Sequence, residues 1–412
     1  MTTFKFDKFQ QAAIDGVSKM DKRVTVITAK AGYGKSTVLA EILRVVWGNG
    51  KATPENTYVG CPTGKASIVV SEMFKESGLE YENPPATIHR ILGCQGPEWV
   101  YNSFNKLNCD LFVIDEFSMI SSEMFARIIE SISDDACIVL VFDPRQLPPV
   151  GSGCPGVDIY NENREGMIYE LVINYRQKNG DALADVCEKI ADGEIPVFDS
   201  PSYVKNNANH HEEDDKENIP QIVLDIVRPW FNSGDDYICV TPQNTSLLGV
   251  NEMNLFLQEK LNPPSANKGD IKIYDWYLRE GDRVMHIKNN YDLDVFNGET
   301  GIVLSVVGEL VTVEYPDKKV IYDNKTVKQL TLGYVCTIHK SQGSQYSKVC
   351  VVFHTSHYYM LSKSLLYVGV SRAREELHIV GNTRAIKRGV SRNLKDHRNT
   401  YLNLKFRDEV EF

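Results

Sequence analysis

A chain of 412 residues exceeds what one hydrophobic core usually supports, so two or three domains are expected. Its apolar and charged fractions are those of an ordinary globular protein; no run is long enough to span a bilayer and the first residues lack an apolar signal core, so a cytoplasmic, membrane-free setting is expected. Nine scattered cysteines without a C-x-x-C pair argue against a zinc or disulfide framework, and a net charge of −10 argues against a protein that simply coats nucleic acid.

In chain order, "RVTVIT" reads as a buried strand, "AKAGYGKST" as a Gly-rich turn and "STVLAEILRVVW" as a helix. "TYVGC", "LFVID" and "CIVLVFD" read as further strands separated by helix and loop signals, the pattern of a parallel sheet covered on both faces. "GCQGPEWVYNSFNKLN", residues 93–108, is too short for a domain and is read as a hairpin. A second strand set follows in "YELVIN", "DYICVTP", "KVCVVFH" and "ELHIVGN". The acidic "HHEEDDKEN" at residues 210–218 reads as a surface loop within it. From about Pro263 the pattern changes to short strands and Gly, Asp and Asn turns, which predicts a small antiparallel barrel. Residues 384–407 then carry eight Lys/Arg and a single Asp, a basic tail on an acidic chain.

Three strand ends carry chemistry. Strand, Gly-rich turn and helix is the arrangement in which backbone N–H groups face an anion; Gly32 and Gly34 permit close approach, Lys35 reaches terminal phosphates and the Ser36 hydroxyl can ligate Mg²⁺. The leading glycine of the usual pattern is replaced by Ala29, and Tyr33 stands where a small residue is common. Asp115 and Glu116 end an apolar strand, where one carboxylate can hold Mg²⁺ and its neighbour can take a proton from an attacking water. Asp143 and Gln146 follow the next strand, and Gln146 can orient that water. Arg176, Arg372 and Arg374 are the candidates for neutralising phosphoryl charge.

This ordered set resembles superfamily 1 DNA helicases of the 5′→3′ class, the RecD-type and Dda-type enzymes, over nearly the whole length. "FDKFQQAA" is similar to the Q motif, "AKAGYGKST" to motif I, "CPTGKAS" to motif Ia and "ATIHRIL" to the segment after it; "DEFSM" resembles motif II, "DPRQLPPV" motif III, "NYRQ" motif IV, "GYVCTIHKSQGSQY" motif V and "LLYVGVSRARE" motif VI. "GDRVMHIKNNYDLDVFNGETGIV" is similar to the SH3-like insertion of these helicases. The resemblance implies two RecA-like parallel-sheet motor domains with a small SH3-like β-barrel insertion and a short β-hairpin pin. The boundaries expected are 1–165 for the first motor domain, 166–266 and 331–412 for the second, and 267–330 for the insertion.

The resemblance also implies ATP and Mg²⁺ as cofactors, with ATP in the cleft between motor domains. Gln10, Ala31, Gly32, Tyr33, Gly34, Lys35, Ser36, Thr37 and Gly343 would bind the nucleotide. Ser36 and Asp115 would hold the metal, partly through water, and Lys35, Glu116, Gln146, Arg176 and Arg372 would carry catalysis. Pro62, Thr63, His89, Thr337 and His339 would contact DNA. The partners implied are single-stranded and tailed duplex DNA, with single-strand-binding or replication and recombination proteins as further candidates, acting on a monomer. Gln345, where a Glu often binds the ribose, is a departure. Trp99, Tyr101 and Phe104 are candidates for the apolar tip that would part a duplex. Three other functions fit the same motifs: a single-strand translocase that strips proteins and unwinds weakly, an RNA helicase, and a non-hydrolysing, nucleotide-gated DNA-binding subunit.

Overall fold

The computed structural model describes residues 5–30, 32–162, 166–173, 181–198, 200–290 and 292–393. The chain divides into two compact units, the first reaching residue 178 and the second covering 179–393.

In the first unit, β1 (Val24–Ala29), β2 (Thr57–Cys61), β3 (Ala86–Thr87), the short hairpin strands β4 (Cys94–Gln95) and β5 (Glu98–Trp99), β6 (Leu111–Ile114), β7 (Cys137–Phe142) and β8 (Ile168–Leu171) follow in order. All but the hairpin form one six-stranded sheet in the order β3-β2-β6-β7-β1-β8, and every pairing in it is parallel. The unbroken apolar runs are explained by burial on both faces: Val139 and Val141 of β7 pack into one core cluster, and Ile138, Leu140 and Phe142 into the other. The "YELVIN" strand is a correction. Its first three residues lie in Ile168–Leu171, which pairs with β1 as the edge of this sheet, so the first unit continues past residue 165. A four-residue strand with only Leu171 buried carries no signal of which parallel sheet it joins.

The second unit holds β9 (Ala208–Glu212), β10 (Tyr237–Thr241), the hairpin β11 (Asp270–Ile273) and β12 (Trp276–Arg279), then β13 (Arg283–His286), β14 (Thr300–Val307), β15 (Leu310–Glu314), β16 (Lys319–Tyr322), β17 (Leu330–Leu332), β18 (Val335–Thr337), β19 (Tyr346–Phe353) and β20 (Ala373–Gly381). A five-stranded parallel sheet runs β18-β10-β19-β20-β9. The acidic run is a second correction: it opens as β9, whose Ala208 is buried and whose His211 Nε2 lies 2.8 Å from His378 Nδ1 on β20. Two histidines in a polar string hide the strand from a composition-based reading.

The inserted segment forms an antiparallel sheet in the order β16-β15-β14-β13-β17, with a bulge between Val303 and Ser305. Among the described residues β16 and β17 are not paired, so the five strands close no ring. Its own apolar core includes Leu278, Val303, Val313 and Tyr322. Asp282, fully buried, anchors it: the carboxylate accepts hydrogen bonds from Gln258 Nε2 (2.5 Å), Asn262 Nδ2 (2.7 Å), the Arg279 amide (2.7 Å) and the Tyr334 hydroxyl (2.9 Å). Burial raises the Asp282 pKa, and these bonds oppose the rise. No described helix is long and apolar enough to cross a membrane.

Candidate nucleotide and nucleic-acid site

β1 delivers the chain into the phosphate loop. Gly32 and Gly34 take left-handed φ values of 89° and 79°, and the helix Lys35–Gly48 begins directly after the second. Its first N–H groups and dipole therefore face an anion-sized approach. Ala29 is buried as the last residue of β1, with its methyl in the core, which is why a side chain is accepted at this position. Lys35 Nζ donates to Ala29 O (2.9 Å) and Lys30 O (3.3 Å), holding the ammonium against the loop. Ser36 and Thr37 lie in the first turn of that helix. Ala31 falls outside the described residues. Tyr33, the bulky residue where a small one is common, is buried in the cluster containing Val38, Leu39 and Val59.

β6 and β1 flank β7, so three strand ends meet on one edge. Asp115, just past β6, is pushed up to about 7, first by burial, then by the charge of Glu116, with Lys35 pulling the other way. Glu116 has φ 52°, a left-handed backbone for a non-glycine residue, and its Oε2 is enclosed without a hydrogen-bond partner among the described residues. After β7, Asp143 is fully buried and accepts from the Arg145 amide at 2.9 Å. Gln146 is buried, and its Oε1 accepts from Ser118 Oγ at 3.3 Å. The "DEFSM" and "DPRQ" segments are thus joined through a side-chain bond that the sequence does not announce.

The Ser36 hydroxyl, the Asp115 carboxylate and the enclosed Glu116 oxygen are hard donors that fit Mg²⁺, which keeps waters and phosphate oxygens in its shell. Gln10 has a local duty beside any nucleotide contact. It is buried at the third position of the helix Lys8–Val17 and forms a capping box with Asp7, whose amide donates to Gln10 Oε1 at 3.2 Å. The pair "D-x-x-Q" was the available signal for that cap.

In the second unit Arg372, at the end of the helix Lys363–Val370, is a buried residue and no solvated arm. Its guanidinium donates to Val368 O (3.0 Å), Ser344 O (2.8 Å) and Ser371 Oγ (3.1 Å), tying the "SRARE" segment to the turn that carries Gly343, itself at φ 77°. Two of its five N–H donors stay uncommitted by these bonds. Arg374 is exposed and paired with Asp236 at 2.7 Å. Arg176 lies outside the described residues.

The nucleic-acid candidates sit where strands end. Pro62 and Thr63 follow β2, with Thr63 Oγ1 capping the next helix through Ala66 N at 3.2 Å. Thr337 ends β18 and accepts from Lys340 N at 3.2 Å; His339 is exposed just beyond. His89 is exposed and packs on Trp99, ring centroids 5.4 Å apart. The hairpin resolves its three aromatics. Trp99 packs against His89 and Arg127, and both Trp99 and Tyr101 pack on the core. Phe104 stands in the turn closed by the Asn102–Asn105 bridge and is 99% exposed.

Family models match three segments: an AAA domain over residues 10–152, an ATP-dependent RecD-like DNA helicase SH3 domain over 253–320, and a UvrD-like helicase C-terminal domain over 332–380. The chain is 28% identical to the ATP-dependent RecD2 DNA helicase of Deinococcus radiodurans over 382 residues, covering 92% of this chain and 50% of that protein. It is 24% identical to the RecBCD enzyme subunit RecD of Mycobacterium tuberculosis over 417 residues, covering 94% and 71%. The chain thus spans half the length of the first relative. The fold is shared with Bacteroides Pif1 bound to ssDNA (TM-score 0.56, 21% identity, 98% and 97% coverage) and with Bacteroides Pif1 in complex with ADP-AlF3 and ssDNA (TM-score 0.59, 21% identity, the same coverage).

Proposed function

We propose, from the premise that this chain is assembled from the domains of RecD-like superfamily 1 helicases, that it is an ATP-dependent 5′→3′ DNA helicase. It would act in the cytoplasm as a monomer on single-stranded and tailed duplex DNA, with single-strand-binding or replication and recombination proteins as partners. The observation that carries the reading is the meeting of Lys35, Asp115, Glu116 and Gln146 at adjoining ends of one parallel sheet.

The loop amides and Lys35 would bind the terminal phosphates, and Ser36 and Asp115 would hold Mg²⁺, which would supply neutralising charge for phosphoryl transfer. Glu116 accepts the proton of the attacking water. Gln146, oriented by Ser118, positions that water against the γ-phosphoryl group. Arg372 is assigned to the developing phosphoryl charge through its uncommitted N–H groups, and Arg176 to the same task by resemblance. Gln10 reads the adenine edge, and Pro62, Thr63, His89, Thr337 and His339 hold the strand. Phe104 is the wedge tip.

Glu116 favours turnover over a binding-only scaffold, because an enclosed carboxylate oxygen without a partner is costly unless it has a use. Lys35→Ala should abolish ATP hydrolysis. Glu116→Gln should retain nucleotide binding and lower kcat by roughly 10²–10⁴-fold. Equal turnover by Glu116→Gln and the unmodified chain would remove the base from this account.

A further inference from the structure

Beyond the "SQGSQY" turn the second sheet presents a surface that none of the helicase motifs discussed above covers. β19 ends at Phe353, and the turn that follows lifts Tyr358 and Tyr359 into solvent, Tyr359 being 86% exposed. The two rings meet edge to face, centroids 5.6 Å apart. The turn is held by its own backbone bonds, including Met360 N to His357 O at 2.8 Å, and by Arg392 Nη1, which donates to Tyr359 O and Leu361 O. The helix Thr383–Val390, after β20, carries Lys387 and Arg388 in its last turn, and Arg388 lies against the Tyr358 ring. The Arg388 guanidinium lies 4.3 Å from the Tyr358 centroid, and its Nε has no hydrogen-bond partner among the described residues. Neither Arg388 nor Lys387 has a carboxylate partner among the described residues, whereas Arg384 on the same helix is neutralised by Asp214 at 2.7 Å. Exposed aromatic rings next to unneutralised cations are the composition of a single-strand platform: rings stack on bases and cations meet phosphates.

Topology gives the patch its direction. All strands of this sheet are parallel, so Thr337 at the end of β18 and Phe353 at the end of β19 lie on one edge, separated only by β10. At the usual strand spacing that is about 10 Å.

We propose that Tyr358, Tyr359, Lys387 and Arg388 form an additional single-stranded DNA contact that extends the path from Thr337 and His339 across the ends of β10, β19 and β20. A base stacks on Tyr359, and Lys387 and Arg388 take the flanking phosphates. The inference rests on the helicase reading of the neighbouring strand-end residues.

The test is equilibrium binding of the full chain to fluorescent oligo-dT of graded length, followed by anisotropy at several salt concentrations. Tyr359→Ala should weaken binding of long oligomers about ten- to hundredfold, the loss of one stacked base, and leave the shortest bound oligomers unchanged. Tyr359→Phe should keep the affinity. Lys387→Ala should make the salt dependence shallower by about 0.7 in log–log slope. DNA-free ATP turnover and melting temperature should match the unmodified chain for all three. Unchanged affinity of Tyr359→Ala at every length overturns the contact while leaving the helicase reading intact. So does a uniform loss at every length with a lowered melting temperature, which marks Tyr359 as structural. No binding by the unmodified chain at any length overturns the helicase reading and the contact with it.

Discussion

Glu116 carries two local costs at once, a left-handed backbone on a residue with a side chain and an enclosed carboxylate oxygen without a hydrogen-bond partner among the described residues. The first alone is worth ~1 kcal/mol or more. Their coincidence beside Asp115 and Lys35 is the local cost that the proposed catalytic role of Glu116 would explain. The acidic pair could be read from the sequence because it ends an apolar strand; the backbone conformation could not, since no glycine or asparagine signals it. The phosphate loop was equally readable, from strand, glycines, lysine and helix in succession. Tyr33 was not. A ring inside a Gly-rich loop looks exposed in sequence, yet it fills the core between β1, β2 and the helix Lys35–Gly48. Tyr33→Thr should therefore cost ~2–4 kcal/mol, read as a lowered denaturation midpoint. Full stability with altered nucleotide affinity would contradict this placement.

Among the elements, the most legible strands are those buried on both faces, such as β7 and β19, because their apolar runs are continuous. The edges were hard. β8 was assigned to the wrong sheet and β9 was read as a loop, since an edge strand with one wet face carries a weak period. The hairpin at residues 93–105 shows the same limit within one element. Three aromatics suggested an apolar excursion, but only geometry separates Trp99 and Tyr101, which anchor it, from Phe104, which ends it. Phe104→Ala should leave melting temperature and DNA-stimulated ATPase unchanged and depress duplex unwinding several-fold. Trp99→Ala should lower stability by ~2–4 kcal/mol and impair both activities. Loss of ATPase in Phe104→Ala would show that the ring does more than wedge.

At the scale of the molecule, composition excluded little: an acidic net charge gave no hint of a nucleic-acid partner. What identified the architecture was order. Parallel-sheet strands with motif residues at their ends, an antiparallel segment and parallel-sheet strands again match the three family segments along the chain. Asp282 explains how the antiparallel segment stays in register with its host, since its four hydrogen bonds reach the helix Val250–Leu261, the Arg279 turn and Tyr334. The central claim is directional unwinding driven by ATP. Its most direct test follows strand separation with ATP and Mg²⁺ on otherwise identical duplexes carrying a single-stranded tail at the 5′ or the 3′ end. The account predicts unwinding from the 5′ tail and none from the 3′ tail; unwinding from the 3′ tail alone, or from neither, would contradict it.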